Sequence, residues 1–321
     1  GETGIAAYND GTGLTSIAAS GPVTSTTRDG VFAYNGETTL GLSVHMADVT
    51  GGRTGIAAAN SGAGAMLVTA GHVSGSDGII ATNGLVSFAD FAADPFATAL
   101  TGDANAQAGD LTVEAESVTA TRYGIIAANY GTGATRITTT GLVEGTSEFG
   151  IYAQNGAAAT NLTIEAESVI GDDVGIGALN RGTGATTITA TGLVSGVSGV
   201  GIYAQNDAAA TNISIEAESV IGGETGIAAY NDGTGATRIT TTGLVEGGTA
   251  AISAFSTGGP ITIESGGLIR NLSQLSTDTA VIGRGGPITV TNGGGMVGTM
   301  QFGAGAHTMM NNAAWNTAGG T

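Results

Sequence analysis

Hydrophobic and polar residues alternate along short segments of this chain, and glycine-rich stretches separate the segments. In one segment, Ile151 and Ala153 alternate with Tyr152 and Gln154, and residues 162–167 alternate in the same way. A period of two, interrupted by glycine, predicts short β-strands joined by turns. Each repeating unit has room for three short strands and three turns.

The motif Gly-Ile-x-Ala-x-Asn marks the start of each unit. It begins at positions 4, 30 (with Val31 for Ile), 55, 78, 124, 150, 175, 201 and 226, with a degenerate copy from Ala251 to Ser256. Apart from one long gap, the spacing is 23 to 26 residues, a period typical of solenoids. Leucine-rich repeats share this period but need more leucine and often a helical side. We therefore predict an all-β fold, a right-handed parallel β-helix of about ten coils.

Two kinds of unit alternate along the chain. One kind begins at positions 4, 55, 124, 175 and 226, and the other at 30, 78, 150, 201 and 251, so that an undisturbed pair spans 51 residues. Residues 1–256 are predicted to form regular coils, and 257–321 irregular coils and a cap leading toward a missing C-terminal region. Because Gly1–Gly13 is identical to Gly223–Gly235, we expect the chain to be a fragment of a longer array.

Stacking of the coils at about 4.8 Å places equivalent residues in columns. The inner columns are predicted to be Ile, then Ala, then an asparagine column that tolerates positive φ and passes amide hydrogen bonds between coils. We favour this structural role over ligand binding, because the asparagines recur whatever surrounds them. The predicted ladder consists of Asn9, Asn35, Asn60, Asn83, Asn129, Asn155, Asn180, Asn206 and Asn231.

One unit carries an insertion, predicted at about residues 84–109. It adds about 21 residues between Asn83 and Asp110 and contains Phe88, Phe91 and Phe96. Asp94-Pro95 is a plausible helix start, with Asp as the cap and Pro in the first turn. Insertions in solenoids often carry binding, although this one could also pack its phenylalanines on the flank.

The outward positions of the motif carry no charge in ten coils, in a chain with 34 charged residues. We therefore expect this face to be covered or used for binding, although a merely apolar flank is the alternative. The predicted partner-binding or self-packing surface consists of Phe32, Tyr34, Phe88, Phe91, Phe96, Tyr152 and Tyr203.

Composition and charge exclude several partners. The chain has 321 residues with no Cys and no Lys, and eight Arg against 26 acids give a net charge of −18. Such acidity disfavours nucleic acid and anionic membranes. No apolar run reaches the roughly 18 residues of a membrane span, so we expect no direct membrane insertion. The chain opens within a repeat, and we expect no signal peptide in it.

Candidate catalytic chemistry is sparse. Three Glu-x-Glu pairs occur in one kind of unit only, and Thr-x-Thr pairs should occupy the coils between them, which relieves charge repulsion. A solvated acidic stripe is the favoured interpretation. The arginines are scattered, and His45, His72 and His307 have no visible ligand or triad partners. We predict no catalytic residues, no metal and no cofactor. The pairs are Glu114/Glu116, Glu165/Glu167 and Glu216/Glu218.

The C-terminal residues carry a family resemblance. Residues 303–320, with an Asn pair, then Trp315, then a Gly pair, resemble the end of a bacterial autotransporter passenger ahead of its outer-membrane barrel. The coils, with Gly-Thr-Gly-Ala-Thr and Thr-Thr-Gly-Leu-Val, also resemble passenger repeats, and the absence of Cys fits such a passenger.

The resemblance implies a non-enzymatic passenger at the cell surface or secreted, acting in adhesion or in host or cell–cell interaction. Its partner would be a protein or glycan on a cell surface or matrix, or a second copy. Three alternatives remain open: a released passenger that signals to a host receptor, a carbohydrate-active β-helix enzyme, and a self-assembling surface protein.

Overall fold

Residues 2–317 are described by a computed structural model, in which the chain winds through twelve coils of short parallel strands. Each coil contributes a first, a second and a third strand position, and in four coils one long strand occupies the second and third. All neighbouring coils pair in parallel. The predicted parallel β-helix is confirmed.

The strands and helices follow one another coil by coil. Coils 1 to 4 contain β1 (Ile5–Asn9), β2 (Leu14–Ala19), β3 (Val23–Thr24), β4 (Val31–Asn35), β5 (Gly41–Met46), β6 (Val49–Thr50), β7 (Thr54–Asn60), β8 (Gly64–Gly75), β9 (Asp77–Asn83), α1 (Phe88–Ala93), α2 (Pro95–Leu100) and β10 (Ala108–Ala120). Coils 5 to 8 contain β11 (Ile125–Asn129), β12 (Thr135–Thr139), β13 (Leu142–Gly145), β14 (Phe149–Asn155), β15 (Leu162–Ala166), β16 (Ser168–Gly171), β17 (Val174–Asn180), β18 (Thr186–Gly196), β19 (Val200–Asn206) and β20 (Ile213–Gly222). Coils 9 to 12 contain β21 (Thr225–Asn231), β22 (Thr237–Thr241), β23 (Val245–Gly247), β24 (Ala250–Ser256), β25 (Ile261–Ser265), β26 (Leu268–Asn271), β27 (Thr279–Gly285), β28 (Ile288–Asn292), β29 (Gly295–Val297), β30 (Thr299–Phe302), β31 (His307–Asn311) and β32 (Ala314–Asn316).

One apolar core runs along the inside of the stack. Ile151 and Ala153 of β14 are fully buried, and the same two positions are apolar in the neighbouring coils. The glycine of the motif lies in a tightly packed position: a Cβ on Gly150 would lie 2.4 Å from Val169 Cγ1 of its own coil and 2.7 Å from Gly175 O of the next coil. The motif is therefore a packing requirement of the narrow core.

Two coils beyond the last copy of the motif complete the stack, so the count of twelve differs slightly from the predicted number of about ten. The motif is lost there because Ser256 and then Gly285 take the place of the asparagine. The strand pattern nevertheless continues. Strands β25 and β28 begin directly after Pro260 and Pro287.

The asparagine column lies at the end of the first strands. Direct hydrogen bonds from one asparagine side chain to the next join only a few of its coils. Asn35 Nδ2 donates to Asn60 Oδ1 at 3.3 Å, Asn60 Nδ2 to Asn83 Oδ1 at 2.9 Å, and Asn83 Nδ2 to Asn129 Oδ1 at 3.5 Å. All four side chains are fully buried. Coil-to-coil amide hydrogen bonds are therefore confirmed, but only from coil 2 to coil 5.

In later coils the asparagines bind the backbone of their own turn. Asn180 Nδ2 donates to Gly184 O at 3.2 Å, and its Oδ1 accepts from Gly182 N at 3.0 Å. The column does not use the positive φ that asparagine tolerates, because Gln274 is the one non-glycine residue in 2–317 with φ in that region. The column closes turns by satisfying their backbone groups rather than by adopting an unusual backbone.

A threonine at the start of the second strand links many of these turns to the next coil. Thr135 Oγ1 donates to Asn155 Oδ1 at 2.5 Å, and Thr186 Oγ1 donates to Asn206 Oδ1 at 2.6 Å. All four side chains are fully buried. This Thr–Asn hydrogen bond crosses between coils, and it recurs every second coil because only one kind of unit supplies the threonine.

Two exceptions show how the link depends on both partners. Met66 occupies the threonine position in coil 3, and there Asn83 Oδ1 accepts from Asn60 instead. Thr237 occupies it in coil 9, but coil 10 offers Ser256 rather than asparagine. Thr237 Oγ1 is consequently buried without a hydrogen-bond partner among the described residues.

We expect Thr135→Val to lower the free energy of unfolding by about 1–3 kcal/mol, because the buried Oδ1 of Asn155 loses its donor. Thr237→Val is the matched control: it should leave the stability unchanged or raise it, since that hydroxyl has no hydrogen bond to lose. Urea unfolding of both variants measures the difference. Equal losses in the two variants would contradict the role of the Thr–Asn link.

Candidate binding face

The outward side chains of the first strands form a flat face of two columns, called here the first-strand face. One column contains Ala6, Phe32, Ala57, Ile80, Ile126, Tyr152, Gly177, Tyr203, Ala228, Ser253, Ile282 and Gln301. The other contains Tyr8, Tyr34, Ala59, Thr82, Ala128, Gln154, Leu179, Gln205, Tyr230, Phe255 and Arg284. Coils 1 to 10 contribute no charge to this face, and Arg284 adds one in coil 11.

The residues between β9 and β10 (84–107), called here the helical insert, form the helices α1 and α2. Asp94 caps α2 by accepting from Ala97 N at 3.1 Å, and Pro95 is the first helical residue. The predicted helix start is therefore confirmed. The first helix, α1, was not predicted, and it is capped by Ser87. In the described part of the chain, neither helix is long and apolar enough to cross a membrane.

The helical insert folds back over the first-strand face of coils 2 to 5. Phe91 and Ala99 of the insert are fully buried, and so are Ile80 and Ile126 beneath it. Burial of a side chain such as Phe91 contributes about 1.5–3 kcal/mol. The insert therefore packs on the flank of the coils and covers Ile80 and Ile126.

Arg53 ties α1 to the coils. Its Nε and Nη2 donate to the carboxylate of Asp29 at 2.9 and 2.6 Å, and Asp29 is buried. Its Nη1 donates to the carbonyl oxygens of Ala92 and Ala93, both at 2.9 Å. Arg28 donates to Ala92 O at 3.3 Å. These cations thus satisfy the last carbonyls of α1, where the helix dipole favours positive charge.

Two tyrosines of the coils hold the insert by its backbone. Tyr34 Oη donates to Val86 O at 2.7 Å, and Tyr130 Oη donates to Ala99 O at 3.0 Å. Burial raises the pKa of Tyr130 to about 12, so its hydroxyl keeps its proton at neutral pH. Both hydrogen bonds are buried and help to fix the orientation of the insert.

An aromatic stack and an ion pair border α2. The ring of Phe96 stacks on Tyr123 with centroids 3.9 Å apart, and Arg122 lies 5.1 Å from the centroid of Tyr123. Arg122 also contacts Asp77 at 2.7 Å. Burial raises the pKa of Asp77, and the hydrogen bond to Arg122 opposes this rise. Oδ1 of Asp77 has no hydrogen-bond partner among residues 2–317.

The predicted partner surface is divided by the insert. Its residues Phe32, Tyr34 and Phe91 are buried between insert and coils. Its residues Phe88, Phe96, Tyr152 and Tyr203 keep part of their rings exposed. With the insert in place, only the second group is accessible to a partner, and its role in binding stays a prediction.

The first-strand face of coils 7 to 11 lies open, and no element of residues 2–317 packs over it. This part, called here the open half, includes the half-exposed side chains of Leu179, Tyr203, Tyr230 and Phe255. The rings of Tyr203 and Tyr230 lie 5.7 Å apart. The prediction left out Tyr230 and Phe255, although they occupy the same outward positions, and it left out Arg284 because coil 11 lacks the motif.

The outward side of the second strands is charged, in contrast to the open half. Glu165 lies between Thr138 and Thr189 of the adjacent coils, so the predicted Glu/Thr alternation is confirmed. Arg136 contacts Glu165 at 2.5 Å, and both side chains are exposed. No group of three or more His, Asp or Glu side chains within residues 2–317 is placed to hold a metal ion.

Comparison of the chain with models of known families, with curated protein sequences and with solved structures found no match. The β-helix is consistent with an autotransporter passenger fold. Membership of that family stays a hypothesis drawn from the sequence.

The buried carboxyl of Asp77 predicts a pH dependence of stability. Because its folded-state pKa is raised, Asp77 favours folding most at low pH, and this contribution is lost as the pH rises through the raised value. The difference in unfolding free energy, wild type minus Asp77→Asn, should therefore decline as the pH rises above 3.8, the ordinary pKa of an aspartate. Denaturant unfolding of both proteins over this range measures it. A difference that grows with pH would contradict the prediction.

Proposed function

We propose that this chain is a non-enzymatic binding rod, the passenger of a bacterial autotransporter, which acts in adhesion or in contact with host or other cells. It would stand at the cell surface or be released from it. Its partner would be a protein or glycan of a cell surface or matrix. The observation that carries this proposal is the open half of the first-strand face.

The contrast between faces supports a binding role. The chain has 34 charged residues, yet coils 7 to 10 of the open half present none, while the second strands of these coils present Glu216, Arg238 and Glu264. Extended uncharged surfaces with exposed aromatic rings are uncommon on soluble chains unless they bind something.

In the covered half, this face packs against the apolar side of the chain's own helical insert. There the helical insert packs on aromatic side chains and is held by Arg53 and Tyr34. The open half repeats the outward geometry, coil by coil, without an insert of its own in residues 2–317. Coils 7 to 11 extend it over about 19 Å, and a rigid sheet of this kind loses little conformational entropy on binding.

The double variant Leu179→Asp with Tyr203→Asp tests the open half. Both side chains are half-exposed outward residues of adjacent coils, so two carboxylates should disrupt binding without entering the core. We expect attachment of the immobilised chain to cells, matrix proteins or surface polysaccharides to fall about tenfold or more. Bead attachment and solid-phase binding measure it.

The matched control is Thr187→Asp with Ser214→Asp. These residues are the half-exposed outward residues of the second strands in the same two coils. The control adds the same charge to the same coils on another face and should leave attachment unchanged. Unaltered attachment by the open-half variant, or an equal loss in both variants, would contradict the proposal.

A further inference from the structure

A pocket opens in the open half, between coils 9 and 11. Its volume is about 260 Å³, slightly below the roughly 300–1,000 Å³ of pockets for drug-sized ligands. It therefore suits a single ring rather than a large ligand. The lining residues are Tyr230, Ser253, Ala254, Phe255, Ile282 and Arg284.

The pocket arises from a mismatch in size between the two columns. Tyr230, Phe255 and Arg284 follow one another in register in one column, one residue per coil at about 4.8 Å. The adjacent column holds the small residues Ala228 and Ser253 in coils 9 and 10. The long side chains therefore form a wall beside a depression that the short ones leave unfilled.

Three polar side chains at this pocket have no hydrogen bond or ion pair within residues 2–317: Tyr230, Ser253 and Arg284. Some other residues of the same types do have such partners. The hydroxyl of Tyr203 donates to Gln205 at 2.6 Å, and Arg238 contacts Glu264 at 2.6 Å. Together, the three free groups offer a planar cation and two hydroxyls beside an aromatic ring.

An arginine with neither a carboxylate nor a carbonyl partner is unusual in so acidic a protein. The net charge is −18, and six of the eight arginines bind a carboxylate or a backbone carbonyl of this chain. Only Arg181 and Arg284 have no such contact within residues 2–317. Of these two, Arg284 lines a pocket, and its guanidinium can bind a carboxylate through two parallel hydrogen bonds.

We propose that this pocket binds a sugar ring bearing a carboxylate, such as a hexuronic acid unit of a polysaccharide. Arg284 binds the carboxylate. The ring of Phe255 contacts the apolar C–H face of the sugar, and the hydroxyls of Tyr230 and Ser253 bind sugar hydroxyls. This proposal rests on the proposed function and adds to it a class of ligand for the open half.

The experiment compares methyl β-glucuronide with methyl β-glucoside, which differ only at C6: the first has a carboxylate there and the second a hydroxymethyl group. Binding to the whole chain is followed by NMR titration or calorimetry. We expect the glucuronide to bind and the glucoside to bind at least about tenfold more weakly, because a charge-assisted hydrogen bond is lost. Equal binding of the two sugars, or no binding of the glucuronide, would overturn the proposal.

Variants locate the site. Arg284→Gln and Phe255→Ala should each weaken glucuronide binding about tenfold or more, with Arg284→Gln keeping the wild-type melting temperature because the side chain is exposed. Arg181→Gln removes the other unengaged arginine, which directly follows β17 in coil 7, and Arg238→Gln removes an exposed arginine of the second strands. Both controls should bind as the wild type does. A loss in the controls as large as that in Arg284→Gln would overturn the proposal in favour of general charge attraction.

Two further comparisons separate the alternatives. N-acetylglutamate presents a carboxylate without a sugar ring and should bind more weakly than the glucuronide; equal or tighter binding would overturn the sugar in favour of acidic peptides. Loss of cell attachment in the Leu179→Asp, Tyr203→Asp variant, with no glucuronide binding by the wild type, would overturn this inference alone. Glucuronide binding with attachment unchanged in that variant would support the pocket and overturn the proposed function.

Discussion

The in-register stacking of parallel strands is the constraint on which the whole structure depends. Each residue lies about 4.8 Å from its equivalent in the next coil, so one choice of side chain is repeated along a column. Mainly Ile, Val and Ala fill the core, and Gly150 and its equivalents allow the backbones to approach. The turns obey the same constraint, because the Thr–Asn link forms only where both columns supply their residue.

Stacking also continues each outward face from coil to coil, and the helical insert interrupts the first-strand face. It leaves the stack after β9 and covers coils 2 to 5, where Arg53 and Tyr130 hold both of its helices. The same face continues beyond it without a cover from residues 2–317. One repeated surface is thus divided into a half that packs against the insert and a half that residues 2–317 leave uncovered.

The periodic features of the fold could be predicted from the sequence, and the non-periodic ones could not. The core columns and the Glu/Thr alternation follow from the period, because each of them repeats in every coil or every second coil. The contact of Arg53 with Ala92 joins residues far apart in the chain, and the sequence repeats give no indication of it. Arg284 was missed for a related reason: the motif that marks each coil has already been lost at Ser256, so the register that places Arg284 on the open half cannot be counted from the sequence.

The central claim is that the insert closes one part of the first-strand face and leaves the other accessible. Hydroxyl-radical footprinting of the free chain tests it most directly, with each ring's oxidation rate divided by its rate in the unfolded chain. The account predicts that Phe255 and Tyr230 are oxidised clearly faster, on this normalised scale, than Phe32 and Phe91. Oxidation of Phe32 and Phe91 as fast as that of Phe255 would contradict it, because the insert would then not be docked on coils 2 to 5.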